Sequence, residues 1–220
     1  MRADSDASGG GATGAENWKG VGAVLGKAWT RMQWPPLFRS AEECTACGTQ
    51  WKYKMSFLEL VGWSLVVSCF PDVTSNNEVV TYIDNMGTCV FYQKGYDLRC
   101  SVTSSLLQQT EVVARGLNMV APVQKVTRCS SLGPTLADML SKGRMEEFNQ
   151  LWPVGGGREL LQRRVPVPLL RWMKKPEVDH NLGRKILTWM VKNGTAPAVA
   201  LGQPGGNGGT ELDMLTVFDV

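Results

Sequence analysis

Four acidic side chains occupy positions where their type and spacing could support chemistry. Glu59 is the single charge in the apolar stretch 55–71, and a buried carboxylate costs several kcal/mol unless it is paired or bound to a cation. Asp84 ends the β-rich segment EVVTYID, at the carboxyl end of a strand, where α/β sheets place their ligands. Asp6 precedes Ala-Ser-Gly, where the glycine lets another group approach closely. Asp138 is expected in the first turn of a helix, where the helix dipole is an alternative reason for an acid.

A shared divalent cation would account for all four carboxylates. Carboxylate oxygens without accompanying Cys or His ligands are typical of sites for Mg²⁺ or Mn²⁺. Two such ions, about 4 Å apart, can activate a water molecule and stabilise the leaving oxygen in phosphodiester hydrolysis. Asp4 is an alternative to Asp6, because residues i and i+2 lie on the same face of a strand, although the Ala-Ser-Gly context favours Asp6. The residue types therefore predict two-metal phosphodiester hydrolysis.

Residue patterns also predict the elements that must position these acids. Strands are expected over 1–8, 20–25 and 28–34, then a helix over 55–70 that Pro71 ends, a strand over 78–84, helices over 86–94 and 104–117, a strand over 122–128 and a last helix opening at Gly133-Pro134. The first three strands form an antiparallel meander, and the last two are expected to pair in parallel. The order predicts an α/β fold in which a mixed five-stranded sheet is flanked by helices.

Length and composition indicate a globular protein with two dissimilar appendages. The chain has 220 residues, of which 43% are hydrophobic and 20% charged, and these values exclude extended disorder, collagen and coiled coils. The α/β domain is expected over 1–150. A basic, partly helical extension follows over 151–195, with helical periodicity in 182–192, and the Gly-rich run in 196–220 indicates a flexible tail.

Positive charge is concentrated in the extension. Residues 1–150 hold 14 basic and 14 acidic side chains, whereas 151–195 hold nine basic and three acidic ones. Such a surplus fits an anionic partner such as nucleic acid, and a solvated helix face explains it as well. The residues predicted to contact phosphates here are Arg163, Arg164, Lys174 and Lys175.

Two observations bear on the compartment. Residues 1–14 are polar and Gly-rich and lack the apolar core of a secretory signal, so we expect an intracellular protein, with cytoplasm and nucleus not distinguished. The stretch 55–71 is too short and, because of Glu59, too charged for a membrane span. We therefore expect a core helix there and no membrane partner.

The cysteines predict little chemistry by themselves. Six are present, and in a reducing compartment the default is free, partly buried thiols. Cys44-Thr45-Ala46-Cys47 has metal-like spacing, but it is half of a zinc site: a second such pair is missing, and the only histidine, His180, is distant in sequence. Free thiols are therefore favoured over structural zinc.

The acidic motifs occur in an order that resembles the ribonuclease H domain of retroelement polyproteins. Four segments carry the resemblance: the hairpin RADSDASG with GVGAVL, Phe57-Leu58-Glu59-Leu60 in the first helix, Tyr82-Ile83-Asp84-Asn85 at the central strand, and the closing motif LADMLSK around Asp138. The last motif is the most specific. Together the segments cover residues 1–150 in the expected order.

This resemblance implies a ribonuclease H-like fold and a matching activity. It implies that Asp6, Glu59, Asp84 and Asp138 hold two Mg²⁺ or Mn²⁺ ions and that the protein cuts the RNA strand of RNA–DNA hybrids. Many relatives carry a histidine upstream of the last acid, where this chain has Arg128, which could assist phosphate departure or be a surface arginine. An upstream reverse transcriptase domain is the expected partner. Because the first strand begins at residue 1, we expect a fragment or remnant of a longer polyprotein.

Two other functions remain open. A catalytically degenerate module of the same family would bind nucleic acid, or act structurally within a reverse transcriptase polyprotein, without cutting. A nuclease or integrase relative would share the fold and act on a different substrate, since fold alone does not fix function.

Overall fold

The computed structural model describes residues 1–8, 19–126, 132–151 and 161–196, which form six strands and eight α-helices. The strands are β1 (Arg2–Ala7), β2 (Gly20–Leu25), β3 (Ala28–Gln33), β4 (Val80–Ile83), β5 (Val123–Lys125) and β6 (Leu161–Gln162). The helices are α1 (Met55–Cys69), α2 (Pro71–Thr74), α3 (Met86–Lys94), α4 (Ser101–Gly116), α5 (Leu132–Ser141), α6 (Met145–Leu151), α7 (Val167–Lys174) and α8 (Leu182–Lys192).

The strands form one mixed sheet in the order β5-β4-β1-β2-β3-β6. The meander β1-β2-β3 is antiparallel, and β4 and β5 add to β1 in parallel, so the prediction of a mixed sheet in an α/β fold is confirmed. The predicted number of five strands is wrong, because β6 pairs in parallel with β3. This strand has only two residues, both exposed, and so short an element has no recognisable hydrophobic alternation.

Helix α1 is the buried centre of the molecule and confirms the predicted core helix. It packs against β1 and β2 on one side and α4 on the other, so its sequence has no polar face. At Gly62 a Cβ atom would lie only 3.0 Å from Oγ of Ser5, which shows how closely the helix approaches β1. The helix ends at Cys69, and Pro71 then begins α2 instead of only ending α1. None of the described helices is long and apolar enough to cross a membrane.

Helix α5 covers the opposite face of the sheet. Ser5 of β1 faces Gly62 of α1, whereas the next residue, Asp6, contacts Ser141 of α5, as the alternation of side chains along a strand requires. A second apolar cluster fills the space under α5 and includes Trp29 and Leu140. The sheet is therefore sandwiched between α1 and α5, and both helices contact β1 and β2.

The described part of the basic segment packs on the same core. Leu169, Met173, Ile186 and Met190 belong to the main apolar cluster, and α8 packs against α4. Helix α8 has the predicted bounds, whereas α6 and α7 were not predicted and α4 begins at Ser101, three residues earlier than expected. The segment 197–220, which contains the predicted Gly-rich tail, lies outside the described residues.

Candidate functional site

Three of the four predicted acids meet at one edge of the sheet. Because β1 and β4 are parallel neighbours, their carboxyl ends lie side by side. Asp6 lies near the end of β1, Asp84 directly follows β4, and Glu59 lies in the second turn of α1. One carboxylate oxygen of each residue lies within 4.8 Å of the other two. We call Asp6, Glu59 and Asp84 the acidic group.

Backbone and hydroxyl donors fix two members of the acidic group. Glu59 is 1% exposed, and its Oε1 accepts a hydrogen bond from the backbone N–H of Ala7 at 3.3 Å. Asp6 is 6% exposed, and its Oδ2 accepts a hydrogen bond from the hydroxyl of Ser141 at 2.6 Å. Asp84 is half-buried. Hydrogen bonds therefore fix the carboxylates of Glu59 and Asp6, and Asp84 is the member of the group that solvent reaches most easily.

The structure resolves the alternative between Asp4 and Asp6. Both face α5, but Asp4 forms an ion pair with Arg2, with 3.0 Å between Nη2 and Oδ1, and this hydrogen bond raises the pKa of the Arg2 guanidinium. The carboxylate of Asp4 also lies against Gly133, where a Cβ atom would collide with it. Asp4 therefore joins the start of α5 to β1, while Asp6 belongs to the acidic group.

Asp138 lies outside the acidic group of the described residues. It occupies the last turn of α5, so its expected place in a first helical turn, and with it the explanation by a helix N-terminus, is wrong. Its Oδ1 lies 2.6 Å from Nζ of Lys142, and its Oδ2 pairs with Arg144. These cations compensate for a carboxylate at the negative end of a helix. The hydroxyl of Ser141 connects the two sites, because it contacts both the Asp138 carbonyl at 2.9 Å and Asp6.

The predicted phosphate-contacting residues lie in different places. Arg163 pairs with Asp72, which follows the C-terminal end of α1, whereas Glu59 lies near its N-terminal end. Arg164, Lys174 and Lys175 are exposed. Arg128 lies outside the described residues.

The C-terminal end of α7 packs on the first turn of α1. The ring centroid of Trp172 lies 6.2 Å from that of Phe57, which is in the first turn of α1, two residues before Glu59. Lys174 is the last residue of this helix, and Lys175 is its C-cap residue.

A second cluster of potential ligands was missed by sequence reasoning. The sulfur atoms of Cys44, Cys47 and Cys100 lie within 4.8 Å of one another. The spacing of the first two was visible in the sequence, but Cys100 lies 56 residues after Cys44, and only the packing of α4 brings it close. We call these three residues the cysteine group.

A cavity of about 750 Å³ adjoins the cysteine group. Its lining includes Cys47 and Ser56, and the cationic side chains Lys54, Lys94 and Arg99 contribute to its wall. The hydroxyl of Ser56 donates a hydrogen bond of 3.0 Å to Oδ1 of Asn85, the residue after Asp84.

The donor sets of the two groups suit different chemistry. The acidic group offers only carboxylate oxygens, which are the ligands that Mg²⁺ and Mn²⁺ prefer, whereas the cysteine group offers only sulfur. No family model, curated protein or solved structure matches this chain.

Proposed function

We propose that this chain is a metal-dependent endoribonuclease with a ribonuclease H-like fold, derived from a retroelement, which cleaves the RNA strand of RNA–DNA hybrids. The observation that carries the proposal is the convergence of Asp6, Glu59 and Asp84 at the carboxyl ends of two adjacent parallel strands. Each of these acids stands in a motif that resembles the corresponding motif of that family. The sheet order and the position of α5 behind β1 are consistent with the same fold.

Within this proposal, the acidic group would hold Mg²⁺ or Mn²⁺. Two bound ions would supply an activated water and charge stabilisation at the leaving oxygen. Ala7 orients Glu59 through its backbone N–H, and Ser141 orients Asp6 through its hydroxyl. Because both donors belong to rigid elements, the two carboxylates are fixed before any substrate arrives, which lowers the cost of organising the site.

Asp138 would be the fourth metal ligand only after it leaves Lys142 and Arg144. A phosphate group of the substrate could take over both cations, since Lys and Arg bind phosphate and carboxylate oxygens in the same way. Substrate binding would then free Asp138, one helical turn from Ser141, to approach the acidic group. In this scheme the ion pairs with Lys142 and Arg144 keep Asp138 away from the metal site until a phosphate group replaces it.

The exposed cations provide the proposed contacts with the nucleic-acid backbone. Lys174 and Lys175 are exposed at the C-terminal end of α7, whose Trp172 packs on the first turn of α1, and Arg164 is exposed beside β6. Arg163 is better assigned to the ion pair with Asp72. Arg128 remains a proposed aid to phosphate departure, and an upstream reverse transcriptase domain remains the proposed partner.

The direct test is cleavage of an RNA–DNA hybrid labelled on its RNA strand. We expect cleavage with Mg²⁺ and none after chelation, and no cleavage of a DNA duplex of the same sequence. Cleavage of the DNA duplex instead would favour an integrase-like or other nuclease. A protein that leaves every substrate intact would contradict the enzymatic proposal.

The second candidate function is a degenerate module that binds nucleic acid, or acts structurally within a reverse transcriptase polyprotein, without cutting. The observation that favours it is the position of Asp138, whose carboxylate is engaged by two cations away from the acidic group. This function predicts hybrid binding that does not depend on Mg²⁺. Binding curves measured with Mg²⁺ and with EDTA therefore separate the two functions.

A further inference from the structure

The sulfur atoms of the cysteine group lie close enough together to bind one metal ion. Sγ of Cys44 lies 3.7 Å from Sγ of Cys100, and Sγ of Cys47 lies within 4.8 Å of both. Tetrahedral coordination with zinc–sulfur bonds of about 2.3 Å separates neighbouring sulfurs by roughly 3.8 Å. A disulfide would need about 2.05 Å, so the two thiols are not bonded to each other; they are in hydrogen-bonding contact, at a separation that two ligands of one metal ion would also have.

The chain around the first two cysteines forms a tight turn that presents both thiols together. The backbone N–H of Gly48 donates to the carbonyl of Cys44 at 2.8 Å, and the N–H of Cys44 donates to the carbonyl of Thr49 at 2.9 Å. Gly48 has a φ of +68°, in the left-handed region that glycine adopts without steric cost. The spacing of Cys44 and Cys47 in this turn is that of a zinc-binding half-site.

Backbone groups point positive charge at the sulfur atoms. The N–H of Ala46 donates to the sulfur of Cys44, and the N–H of Thr49 donates to the sulfur of Cys47. Cys100 is the N-cap residue of α4, a helix of 16 residues, and the partial positive charge of a helix N-terminus favours a thiolate. Burial nevertheless raises the pKa of the Cys44 thiol to about 12, so a bound metal ion must itself displace that proton.

Lys54 balances the charge of such a site. Its Nζ lies 3.1 Å from Sγ of Cys47. Three thiolates and one Zn²⁺ carry a net charge of about −1, which the ammonium group of Lys54 neutralises in a half-buried setting.

We propose that Cys44, Cys47 and Cys100 bind one zinc ion through their sulfur atoms. Soft thiolate ligands select zinc over the Mg²⁺ or Mn²⁺ proposed for the acidic group, so the two sites would not compete for metal. Within the described part of the chain the group has these three ligands, so water or a small ligand from the adjoining cavity takes the fourth position. The ion ties the loop between β3 and α1 to the start of α4.

The test uses the full chain, purified under reducing conditions, stripped with a chelator and titrated with Zn²⁺ or Co²⁺. We expect one zinc per chain, a higher melting temperature with zinc, and the visible absorption of tetrahedral Co²⁺ with sulfur ligands. Cys47→Ser should weaken zinc binding by more than about 100-fold, since even loss of outer-shell partners costs about 10–100-fold. Cys69→Ala changes a buried cysteine outside the group and should retain one zinc.

Three results would overturn the proposal. These are a wild-type chain that takes up no zinc under reducing conditions, a Cys69→Ala variant that loses zinc as Cys47→Ser does, and a Co²⁺ spectrum without sulfur ligation. If Cys47→Ser does not fold, the wild-type Co²⁺ spectrum alone decides. The outcome is independent of the nuclease proposal, because Asp84→Asn should still bind one zinc, whether or not the wild-type chain cleaves a hybrid.

Discussion

The hydroxyl of Ser141 donates a hydrogen bond of 2.6 Å to the carboxylate of Asp6, and so joins the last turn of α5 to the carboxyl end of β1 across 135 residues of sequence. Both side chains are buried. This contact links the face of the sheet covered by α5 to the acidic group, whose one helical member, Glu59, comes from α1. It makes the orientation of Asp6 depend on the docking of α5.

Replacing Ser141 with Ala should therefore affect stability and the acidic group together. We expect Ser141→Ala to lower the free energy of unfolding by roughly 1.5–3 kcal/mol, the usual range for a hydrogen bond to a charged group. Urea unfolding measures the change. Ser40→Ala removes a half-buried hydroxyl whose partners are backbone groups of Leu37 and Glu42, with no charged partner among them, and should cost less. If both variants lost the same free energy of unfolding, the hydrogen bond to Asp6 would stabilise the protein no more than an ordinary surface hydrogen bond.

Asp84→Asn should separate activity from stability. We expect it to abolish Mg²⁺-dependent cleavage while leaving the protein as stable as the wild type or slightly more so, because one fewer carboxylate relieves repulsion within the acidic group. Hybrid cleavage and thermal unfolding without metal are the two measurements. Asp72→Asn, at the other end of α1, is the matched control and should still cleave. Normal cleavage by Asp84→Asn would remove this residue from the site.

Substitutions at the neighbouring residues Leu58 and Glu59 of α1 should change different properties of the protein, stability in one case and Mg²⁺ affinity in the other. Glu59→Gln should lose Mg²⁺ affinity, which calorimetric titration measures, because it removes a charged ligand of the acidic group. Leu58→Ala should chiefly lose stability, by about 2–5 kcal/mol, because Leu58 is 0% exposed and its truncation leaves a cavity. A titration of Glu59→Gln that matches the wild type would make Glu59 a structural acid.

Arg144 should control whether Asp138 joins the acidic group. We expect Arg144→Gln to bind Mg²⁺ more tightly and the hybrid more weakly than the wild type, because Asp138 loses one of its two cations while the substrate loses a phosphate contact. Calorimetry with Mg²⁺ and hybrid binding at fixed salt give the two affinities. Arg2→Gln, which releases Asp4 instead, should leave the Mg²⁺ affinity unchanged. Weaker Mg²⁺ binding by Arg144→Gln would contradict this arrangement.

The basic segment should contribute both stability and affinity, and point variants can separate them. Deleting 151–220 should lower the melting temperature, because the deletion removes α7 and α8 from the core. The double change Lys174→Gln with Lys175→Gln should keep the melting temperature. It should flatten the salt dependence of hybrid binding by about 0.9 in log–log slope per lost phosphate contact on B-form DNA, and approximately so on a hybrid. An unchanged slope would discard the proposed role of these two lysines.

Local patterns were sufficient to predict most of the elements and three members of the acidic group. The apolar run around Glu59 made the helix and its isolated charge visible, and the β-rich run before Asp84 placed that acid at the end of a strand. Helix α8 and strand β2 have the predicted bounds. These features depend on the hydrophobic periodicity of residues that are close together in the chain, and this periodicity can be determined from a single sequence.

Contacts between distant segments were decided only by packing. The choice between Asp4 and Asp6 followed from which of them Arg2 and Gly133 engage, and both residues have the same strand face and similar local sequence. Asp138 was misplaced within its helix, which begins at Leu132 and ends at Ser141. Lys142 is an i,i+4 neighbour of Asp138, but Arg144 reaches Asp138 only because the chain turns after Ser141.

The cysteine group shows most clearly which contacts follow from local sequence and which follow only from tertiary packing. The turn that carries Cys44 and Cys47 is indicated by the local sequence, which includes Gly48 directly after Cys47. Its third member, Cys100, is brought to the turn by the docking of α4 against α1, a burial of apolar surface that has no specific signal at the cysteine itself. Hydrophobic packing is non-directional and joins segments that are far apart in sequence. The side chains that it brings together can therefore be identified only in the folded chain.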